Sequence, residues 1–195
     1  QRTRMIKRLF DIVASLAALL LLCPLLLGTA LAVAMESGFP VLFRQTRVGR
    51  NGRTFGMFKF RSMVKNAASI GPYFTSANDP RITRVGRFIR RTSLDELPQL
   101  INVLTGDMSL VGPRPERAFF VEKLTQEIPF YAVRHSVKPG VTGWAQVSYQ
   151  YGASHEDTVE KLQYDLYYVK NHSLFLDLVI LFETIGVVLT GKGAH

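Results

Sequence analysis

The amino-acid sequence predicts a mostly helical α+β fold that is monotopic: a re-entrant membrane helix at the N-terminus, a β-hairpin and amphipathic helices at the membrane interface. Three observations predict it. Residues 12–35 contain no charged side chain, basic residues flank this run on both sides, and two β-prone segments surround the turn signal Asn51-Gly52. A chain of 195 residues suits one domain with a membrane element. We therefore expect a membrane segment over residues 1–40 and a folded domain over residues 41–195.

The uncharged run is long enough for a membrane helix. At ~1.5 Å per residue, a continuous helix over residues 12–35 would cover about 36 Å, and the hydrocarbon core of a bilayer is about 30 Å thick. A cleaved signal peptide is the alternative. The run is longer than a typical signal core, and no small-residue cleavage site is evident, so the membrane segment is favoured.

The flanks of the run favour a helix that enters the membrane and returns to the same face. Cytoplasmic flanks attract Lys and Arg, so a crossing helix should be basic on one side only. Pro24 lies near the middle, where it removes a backbone hydrogen bond and bends the helix, which predicts a break at Cys23-Pro24. A kinked transmembrane helix remains an alternative, because such helices tolerate proline. The flanking cations are Arg2, Arg4, Lys7 and Arg8 before the run, and Arg44, Arg47, Arg50 and Arg53 after it.

The remaining elements follow from β-propensity, helical periodicity and turn residues. Residues 41–48 and 54–60 are β-prone and flank Asn51-Gly52, which predicts a hairpin, and residues 64–80 are predicted to be a loop. A helix is expected over residues 94–104, with Gly106 as its stop. The other predictions are helices over 117–127, 158–171 and 174–189, a rigid corner over 112–115 and a turn-rich loop over 139–144.

Residues 81–91 combine a basic stripe with an apolar stripe. Arginine occupies positions 81, 84, 87, 90 and 91, with Ile82, Val85, Phe88 and Ile89 between them. On a helix this pattern suits a membrane surface. A solvated basic face is an equally good interpretation of the pattern by itself.

The composition limits the classes of partner and site. A formal net charge of +9 favours anionic partners: nucleic acid, acidic lipid headgroups or phosphate-bearing substrates. No nucleic-acid motif with interleaved aromatic residues is found, so no nucleic-acid partner is expected. The single cysteine excludes an internal disulfide and a cysteine-based metal site, and the four histidines lack zinc-ligand spacing.

Two adjacent carboxylates, Asp95 and Glu96, carry the main functional hypothesis. Ser93 and Glu96 match a capping box, which alone would explain the acidic pair structurally. The functional alternative uses the helix N-terminus, whose N–H groups and dipole favour carboxylates and phosphate oxygens. One carboxylate would attack phosphorus to form an acyl-phosphate while its neighbour holds a divalent cation. The candidate phosphate-binding cations are Lys59, Arg61, Arg90 and Arg114.

Seven collinear motifs across nearly the whole chain resemble the bacterial sugar transferase family, the monotopic polyprenyl-phosphate sugar-1-phosphate transferases (phosphoglycosyl transferases). Seven motifs in one order are far more specific than any single one. They are Lys7-Arg8-Leu-Phe-Asp11, Lys59-Phe-Arg61-Ser-Met63, the Asp79-Pro-Arg stretch to Arg90, Ser93-Leu-Asp95-Glu96-Leu-Pro-Gln-Leu100, Gly106-Asp-Met-Ser-Leu-Val-Gly-Pro-Arg114-Pro115, Lys138-Pro-Gly-Val-Thr-Gly-Trp-Ala-Gln-Val147 and Tyr164-Asp165-Leu-Tyr-Tyr168.

The resemblance implies a covalent mechanism on a UDP-sugar. Asp95 would attack the phosphate attached to the sugar, UMP would leave, and polyprenyl phosphate would then carry off the sugar 1-phosphate. Glu96 would hold Mg²⁺, which neutralises charge in both transfers. Lys59, Arg90 and Arg114 match basic positions of the family and would contact phosphates or the nucleotide, and Arg61 is a further candidate substrate-binding residue.

The resemblance also implies a place and a role in the cell. Members act at the cytoplasmic face of the bacterial inner membrane, contact membrane lipid and initiate exopolysaccharide, O-antigen or glycoconjugate assembly, so downstream glycosyltransferases are possible partners. The start without Met and the ending over residues 189–195 resemble the catalytic part of longer members. Longer members often transfer glucose or galactose 1-phosphate, and these sugars are favoured here.

Two positions depart from the family pattern, and two other functions remain open. The helix break is Cys23-Pro24 where the family commonly has Ser-Pro, and residues 148–150 are Ser-Tyr-Gln where many small members have Asn-Gly-Arg. One alternative is a non-catalytic, basic protein of the membrane surface. The other is a glycosyltransferase that releases UDP. The nucleotide released (UMP, UDP or none) separates the three.

Overall fold

The computed structural model describes residues 2–70, 79–149 and 154–190, and the predicted α+β class is confirmed there. Helices predominate, and the strands form two small sheets. The helices are α1 Arg2–Leu21, α2 Cys23–Ser37, α3 Ala67–Ile70, α4 Arg84–Arg91, α5 Gln99–Thr105, α6 Ala118–Glu127, α7 Trp144–Ser148, α8 His155–Asn171 and α9 Leu174–Thr190; the strands are β1 Leu42–Val48, β2 Thr54–Phe60, β3 Ser109–Val111 and β4 Gly140–Thr142.

The uncharged run forms a bent helix pair. Helix α1 ends at Leu21 and α2 begins at Cys23, with Pro24 in the first turn of α2, where its missing N–H interrupts the helical hydrogen bonds. The two axes differ in direction by 63°. None of the described helices could cross a bilayer by itself, whereas α1 and α2 taken together have the length and composition to do so.

One face of each arm of the pair packs on the rest of the protein. Phe10 and Ala14 of α1 lie against the largest cluster of buried side chains, which includes Val103 and Ile180. Val33 of α2 is buried with residues of β2 and α4 in a second cluster. The opposite faces of both arms expose large apolar side chains, namely Leu9, Val13, Leu16, Leu20, Leu27, Leu31 and Met35.

The basic residues before the run have structural partners. Lys7 forms an ion pair with the buried carboxylate of Asp177 in α9. The guanidinium of Arg8 donates hydrogen bonds to the carbonyls of Val103 and Leu104, which lie near the end of α5. These two cations therefore join α1 to the domain, a contribution that the flank pattern did not indicate.

The predicted hairpin is confirmed. Strands β1 and β2 pair antiparallel, with Leu42 opposite Phe60 and Val48 opposite Thr54. In the connection, Asn51 and Gly52 have φ angles of 56° and 74°. This left-handed backbone is accessible to Gly and tolerated by Asn, which explains why these two residues mark the turn.

The loop prediction for residues 139–144 is wrong. Strand β4 pairs parallel with β3, with Ser109 opposite Gly140 and Val111 opposite Thr142, and α7 begins at Trp144. A Cβ atom on Gly140 would lie 2.1 Å from the backbone nitrogen of Gly112. The glycines of this segment therefore permit close approach of two backbones, and sequence alone does not distinguish that use of glycine from a turn.

The boundaries around α3 and α4 also differ from the predictions. The loop expected over residues 64–80 contains α3, and its residues 71–78 lie outside the described ranges. Helix α4 begins at Arg84, because Arg81 is buried in an ion pair with Asp79 (Nη2 to Oδ2, 2.6 Å) and does not belong to the basic stripe. The exposed residues of α4 are Arg84, Arg87, Phe88 and Arg91.

Helix α4 is capped by a residue of α2, the second arm of the bent helix pair. The two carboxylate oxygens of Glu36, at the end of α2, accept hydrogen bonds from the backbone nitrogens of Arg84 and Val85, each at 2.8 Å. The hydroxyl of Thr83 accepts from the nitrogen of Gly86 at 2.9 Å. The first three N–H groups of α4 therefore have acceptors, and two of these three acceptor atoms belong to Glu36 of α2.

The last two helices are both partly buried. Helix α8 begins three residues earlier than predicted, since Ser154 and Asp157 form a capping box. Helix α9 buries Asp177 and Ile180 and exposes Phe175, Leu178 and Phe182. A third cluster joins α6 and α8 through Ile128, Tyr131 and Leu162.

Candidate active site

Asp95 and Glu96 lie in a 3-10 turn, Leu94–Glu96, between α4 and α5. The predicted capping box is wrong: Ser93 has a left-handed backbone (φ 56°) and its side chain caps nothing. The continuous helix predicted over residues 94–104 is wrong as well, since α5 begins at Gln99, after Pro98. Gly106 ends α5 with φ 94°, as predicted.

The carboxylate of Glu96 is held by two of the predicted cations. Its Oε1 atom accepts a hydrogen bond from Lys59 Nζ at 2.7 Å and another from Arg114 Nη2. Its Oε2 atom lies 3.2 Å from Arg114 Nη1. Lys59 comes from β2, and Arg114 comes from the Gly-Pro-Arg-Pro corner after β3, so three separate segments meet at this side chain.

Asp95 differs from its neighbour in having no such partner. Only 8% of Asp95 is exposed, and its carboxylate accepts no hydrogen bond from any residue of the described ranges. The pKa of Asp95 is raised to about 6: burial is the main cause, the positive charge of Lys59 opposes it, and the negative charge of Glu96 adds to it. The carboxylate of Asp95 is therefore ionised at neutral pH yet poorly stabilised.

The charges around Glu96 act in the opposite direction. Burial by itself would raise the pKa of Glu96, but Arg114 and Lys59 hold the pKa well below the usual range of a glutamate. Burial lowers the pKa of Lys59, and Glu96 opposes that shift. Glu96 is thus ionised, and the positive charges of Lys59 and Arg114 balance its negative charge. A role of Glu96 as a free base or nucleophile is therefore disfavoured.

These side chains line a cavity of about 480 Å³. Lys59, Asp95, Glu96 and Arg114 all contribute to its wall. The remaining lining comes mainly from α4, β4, α7, α8 and the second half of α9. A volume of this size accommodates a small organic ligand.

The predicted residues Arg90 and Arg61 are placed differently. Arg90 lines the cavity, and its Nε atom donates to Ser62 Oγ at 2.8 Å. Arg61 is not among the described lining residues; its Nη1 atom lies 3.4 Å from the carbonyl oxygen of Gly38, near the end of α2. The structure thus brings Lys59, Arg90 and Arg114 together and leaves Arg61 beside the end of α2.

The sequence did not predict an ion pair that is buried in the wall of the cavity. Arg134 donates to Asp165 Oδ2 from Nε at 2.9 Å and from Nη2 at 2.7 Å, and Nη2 also donates to the carbonyl of Arg114 at 2.9 Å. Arg134 therefore supports the corner that presents Arg114 to Glu96. Asp165 belongs to one of the quoted motifs, but no local pattern connects it with Arg134, which lies 31 residues away.

The carboxylates of the site fit Mg²⁺ only if substrate phosphates supply further ligands. No group of three potential metal ligands occurs among the described His, Cys, Asp and Glu residues. Mg²⁺ in phosphoryl-transfer sites is commonly held by one or two carboxylates together with substrate phosphates, and Asp95 and Glu96 supply two adjacent carboxylates. Glu96 Oε2 makes the longer of the contacts to Arg114, so this oxygen is the better placed ligand.

The arrangement combines an ionised, unpaired carboxylate with three cations in one cavity, which is the chemistry of a site for phosphoryl transfer. A sequence profile described as bacterial sugar transferase matches residues 2–191 of the chain. The chain belongs to this bacterial sugar transferase family. The resemblance on which Asp95 was selected is thereby confirmed at the level of the family.

Curated relatives of this bacterial sugar transferase carry names that describe transfer to a lipid carrier. It is 52% identical, over 97% of the chain, to a UDP-N-acetylgalactosamine-undecaprenyl-phosphate N-acetylgalactosaminephosphotransferase of Aeromonas hydrophila. It is 46% identical, over 98% of the chain, to a UDP-glucose:undecaprenyl-phosphate glucose-1-phosphate transferase of Escherichia coli K12. These matches cover 45% and 42% of the two relatives, so the chain spans less than half of their length.

A shorter relative is matched over nearly all of its length. The exopolysaccharide production protein PSS of Rhizobium leguminosarum bv. phaseoli is 45% identical over 96% of this chain and 98% of the relative. The family profile, which matches residues 2–191, covers every described residue of the cavity.

Proposed function

We propose that the protein transfers a sugar 1-phosphate from a UDP-sugar to polyprenyl phosphate in two steps, with a covalent intermediate on Asp95. The relatives' names support the overall transfer to undecaprenyl phosphate. The unequal environments of Asp95 and Glu96 support the covalent route. Of two adjacent carboxylates, one is neutralised by Lys59 and Arg114, and the other lies unpaired in the cavity.

In the first step, an Oδ atom of Asp95 attacks the phosphorus atom that carries the sugar. The bond from this phosphorus to the oxygen that bridges the two phosphates breaks, and UMP leaves with that oxygen. The sugar phosphate stays on Asp95 as an acyl-phosphate. The poorly stabilised carboxylate of Asp95 is suited to attack, since bond formation removes its charge from a buried position.

In the second step, a phosphate oxygen of polyprenyl phosphate attacks the same phosphorus atom. The bond between phosphorus and Asp95 Oδ breaks, the carboxylate is regenerated and a polyprenyl diphosphate-sugar forms. Lys59, Arg90 and Arg114 line the cavity around Asp95 and neutralise the phosphate oxygens in both steps. Arg134 and Asp165 keep the corner of Arg114 in place.

Glu96 would hold Mg²⁺ together with the donor phosphates. When bound, the ion would supply positive charge against the phosphate oxygens of donor and acceptor. The chain's own contribution is to keep Glu96 ionised, through Lys59 and Arg114, at the edge of the cavity.

The bent pair α1–α2 is proposed to be re-entrant, with the domain at the cytoplasmic face of a bacterial inner membrane. Both arms contact the same domain: α1 through Lys7, Arg8 and the main core, and α2 through Glu36 and Val33. A helix that crossed the bilayer would carry its two ends to opposite faces. The nucleophile then lies near the headgroups, where the acceptor phosphate is located.

The sugar is assigned only to the class of UDP-linked hexoses. Relatives of similar identity are named for N-acetylgalactosamine, glucose and galactose. Their names, and that of the exopolysaccharide protein, support a role at the start of polysaccharide assembly, with glycosyltransferases acting on the product.

The test is a donor-only reaction. The purified chain in detergent is mixed with Mg²⁺ and a panel of UDP-sugars without acceptor, and the nucleotide and the mass of the Asp95 peptide are measured. We expect stoichiometric UMP and a sugar-phosphate adduct on Asp95 with one class of sugar. Release of UDP would indicate simple glycosyl transfer. No nucleotide, even after polyprenyl phosphate is added, would favour a non-catalytic membrane-surface protein.

A further inference from the structure

The lining of the candidate active-site cavity combines two kinds of side chain. The polar lining contains Asp95 and the cations described above. The aliphatic lining includes Leu97 and Leu100 after the acidic pair and Val187 and Val188 of α9. A phosphate group requires the polar lining, and aliphatic side chains attract hydrocarbon. The cavity as a whole therefore matches a ligand with an anionic head and an apolar tail.

The aliphatic lining reaches an exposed apolar surface of α9. Val188 lines the cavity and is at the same time 54% exposed, so it forms part of the opening. The neighbouring exposed residues of α9 are also large and apolar: Ile185 is 59% exposed and Phe182 is 75% exposed. A hydrocarbon chain that leaves the cavity past Val188 would meet this surface and not open water.

Helix α9 is attached to the arm of the membrane pair that precedes the bend. Asp177 of α9 binds Lys7 of α1, and Ile180 is buried in the cluster that includes Phe10 of α1. The outer face of α1 exposes apolar side chains such as Leu9 and Val13. The opening at Val188 thus belongs to a helix that is packed beside the proposed membrane segment.

We propose that the aliphatic lining of the cavity binds the first isoprenoid units of the polyprenyl phosphate acceptor, and that the chain leaves past Val188 towards the bilayer. This assignment rests on the proposed function. A UDP-sugar carries no hydrocarbon that would use these side chains, whereas the acceptor carries one directly beside its phosphate. Its phosphate can reach the phosphorus atom on Asp95 while its tail remains among Leu97, Leu100 and Val187.

The experiment compares two charged substitutions on α9, Val188→Asp and Leu178→Asp, at positions that are each 54% exposed. Both residues are exposed and lie in the same helix, but only Val188 lines the cavity. The full chain in detergent micelles is assayed with the UDP-sugar and undecaprenyl phosphate varied in turn. We expect Val188→Asp to raise the KM for undecaprenyl phosphate about tenfold, which corresponds to about 1.4 kcal/mol, with a change below about twofold in the KM for the UDP-sugar.

The controls separate this site from a general membrane contact and from the donor site. Leu178→Asp should change either KM by less than about twofold, and Val188→Ile, which keeps the aliphatic character, should leave the acceptor KM within about twofold of the native value. An equal rise for both aspartate variants would overturn the assignment in favour of a membrane contact. A rise confined to the KM for the UDP-sugar, or no rise at all, would also overturn it. If the unsubstituted chain releases no UMP, the proposed function itself fails, which is a separate result.

Discussion

Asp95 and Glu96 show how two neighbouring carboxylates acquire different chemistry. The two side chains follow each other in one turn, but only Glu96 meets Lys59 and Arg114. The pKa of Glu96 is therefore held low, whereas burial raises the pKa of Asp95 to about 6. Groups whose environments push their pKa values apart commonly have different roles in catalysis.

Substitution of Asp95 tests the nucleophile directly. Asp95→Asn removes the attacking oxygen charge with almost no change in volume, so UMP release should fall at least about a thousandfold. Glu96→Gln leaves Asp95 in place and should form the Asp95 adduct, at a rate lower by about ten- to a hundredfold. Donor-only UMP release and the peptide mass measure both. UMP release by Asp95→Asn within about tenfold of the native rate would exclude Asp95 as nucleophile.

The raised pKa of Asp95 predicts a pH dependence. Protonated Asp95 cannot attack, so the single-turnover rate of UMP release at a subsaturating UDP-sugar concentration should be constant near neutral pH and fall about tenfold per pH unit below about 6. The rate falls towards low pH because lowering the pH through the pKa of Asp95 removes its reactive ionised form. The profile is measured without acceptor, with Trp144 fluorescence as a control for folding. An unchanged rate at about pH 5 would contradict the assignment.

Helix α4 connects the bent helix pair to the turn of Asp95. Its N-terminus is capped by Glu36 of α2, its buried Ile89 packs on Val33 of α2, and its C-terminus leads through Ser93 into the turn of Asp95. The two ends of this short helix are therefore set by different parts of the chain. A shift of α4 would move Arg90 and Asp95 together.

Removal of the cap should loosen α4. Glu36→Ala takes away the acceptors of two N–H groups, and because Glu36 is exposed and water can replace it, we expect a loss of about 1 kcal/mol, or about 2–4 °C in Tm. Glu36→Gln keeps one acceptor oxygen, so it should lower the free energy of unfolding by about half as much as Glu36→Ala does. Thermal unfolding in detergent measures these changes. Glu122→Ala, at an exposed position of α6, is the matched control, and a similar loss there would contradict the capping role.

The whole molecule is organised around the bent pair, which joins two of its clusters of buried side chains. Helix α1 contributes to the cluster of α5, β3 and α9, and α2 contributes to the cluster of β2 and α4. The third cluster, between α6 and α8, lies outside these contacts and contains Tyr131, next to the Arg134–Asp165 pair. The position of the bent pair and the geometry of the candidate site are therefore linked through shared packing.

A charge on the outer face of the pair should prevent membrane association. Leu21 is 81% exposed at the bend, so Leu21→Lys leaves the core intact but places a charge where we propose the deepest insertion. A lysine in the middle of a membrane helix costs about 2.5–3.5 kcal/mol, enough to shift partitioning by about a hundredfold. Sedimentation with liposomes measures the bound fraction. Gln126→Lys on exposed α6 is the control, and equal partitioning of both variants would contradict insertion at the bend.

Much of the fold could be predicted because its signals lie within short segments. The hairpin, the end of α5 at Gly106 and the class of fold depend on local propensity and are confirmed. Predictions that used a local motif in place of a tertiary contact were wrong. Ser93 and Glu96 match a capping box, yet Glu96 binds Lys59, which lies 37 residues earlier, and the backbone of Ser93 turns the other way.

The sequence by itself determined the family, the acidic pair and the uncharged run with its central proline, because each is a pattern of neighbouring residues. Only the tertiary structure decided which carboxylate is neutralised, that Arg114 and not Arg61 borders the cavity, and that β3 and β4 pair. The physical reason is distance. Electrostatic shifts and hydrogen bonds depend on separations of a few ångströms, which residues far apart in sequence acquire only when the chain is folded.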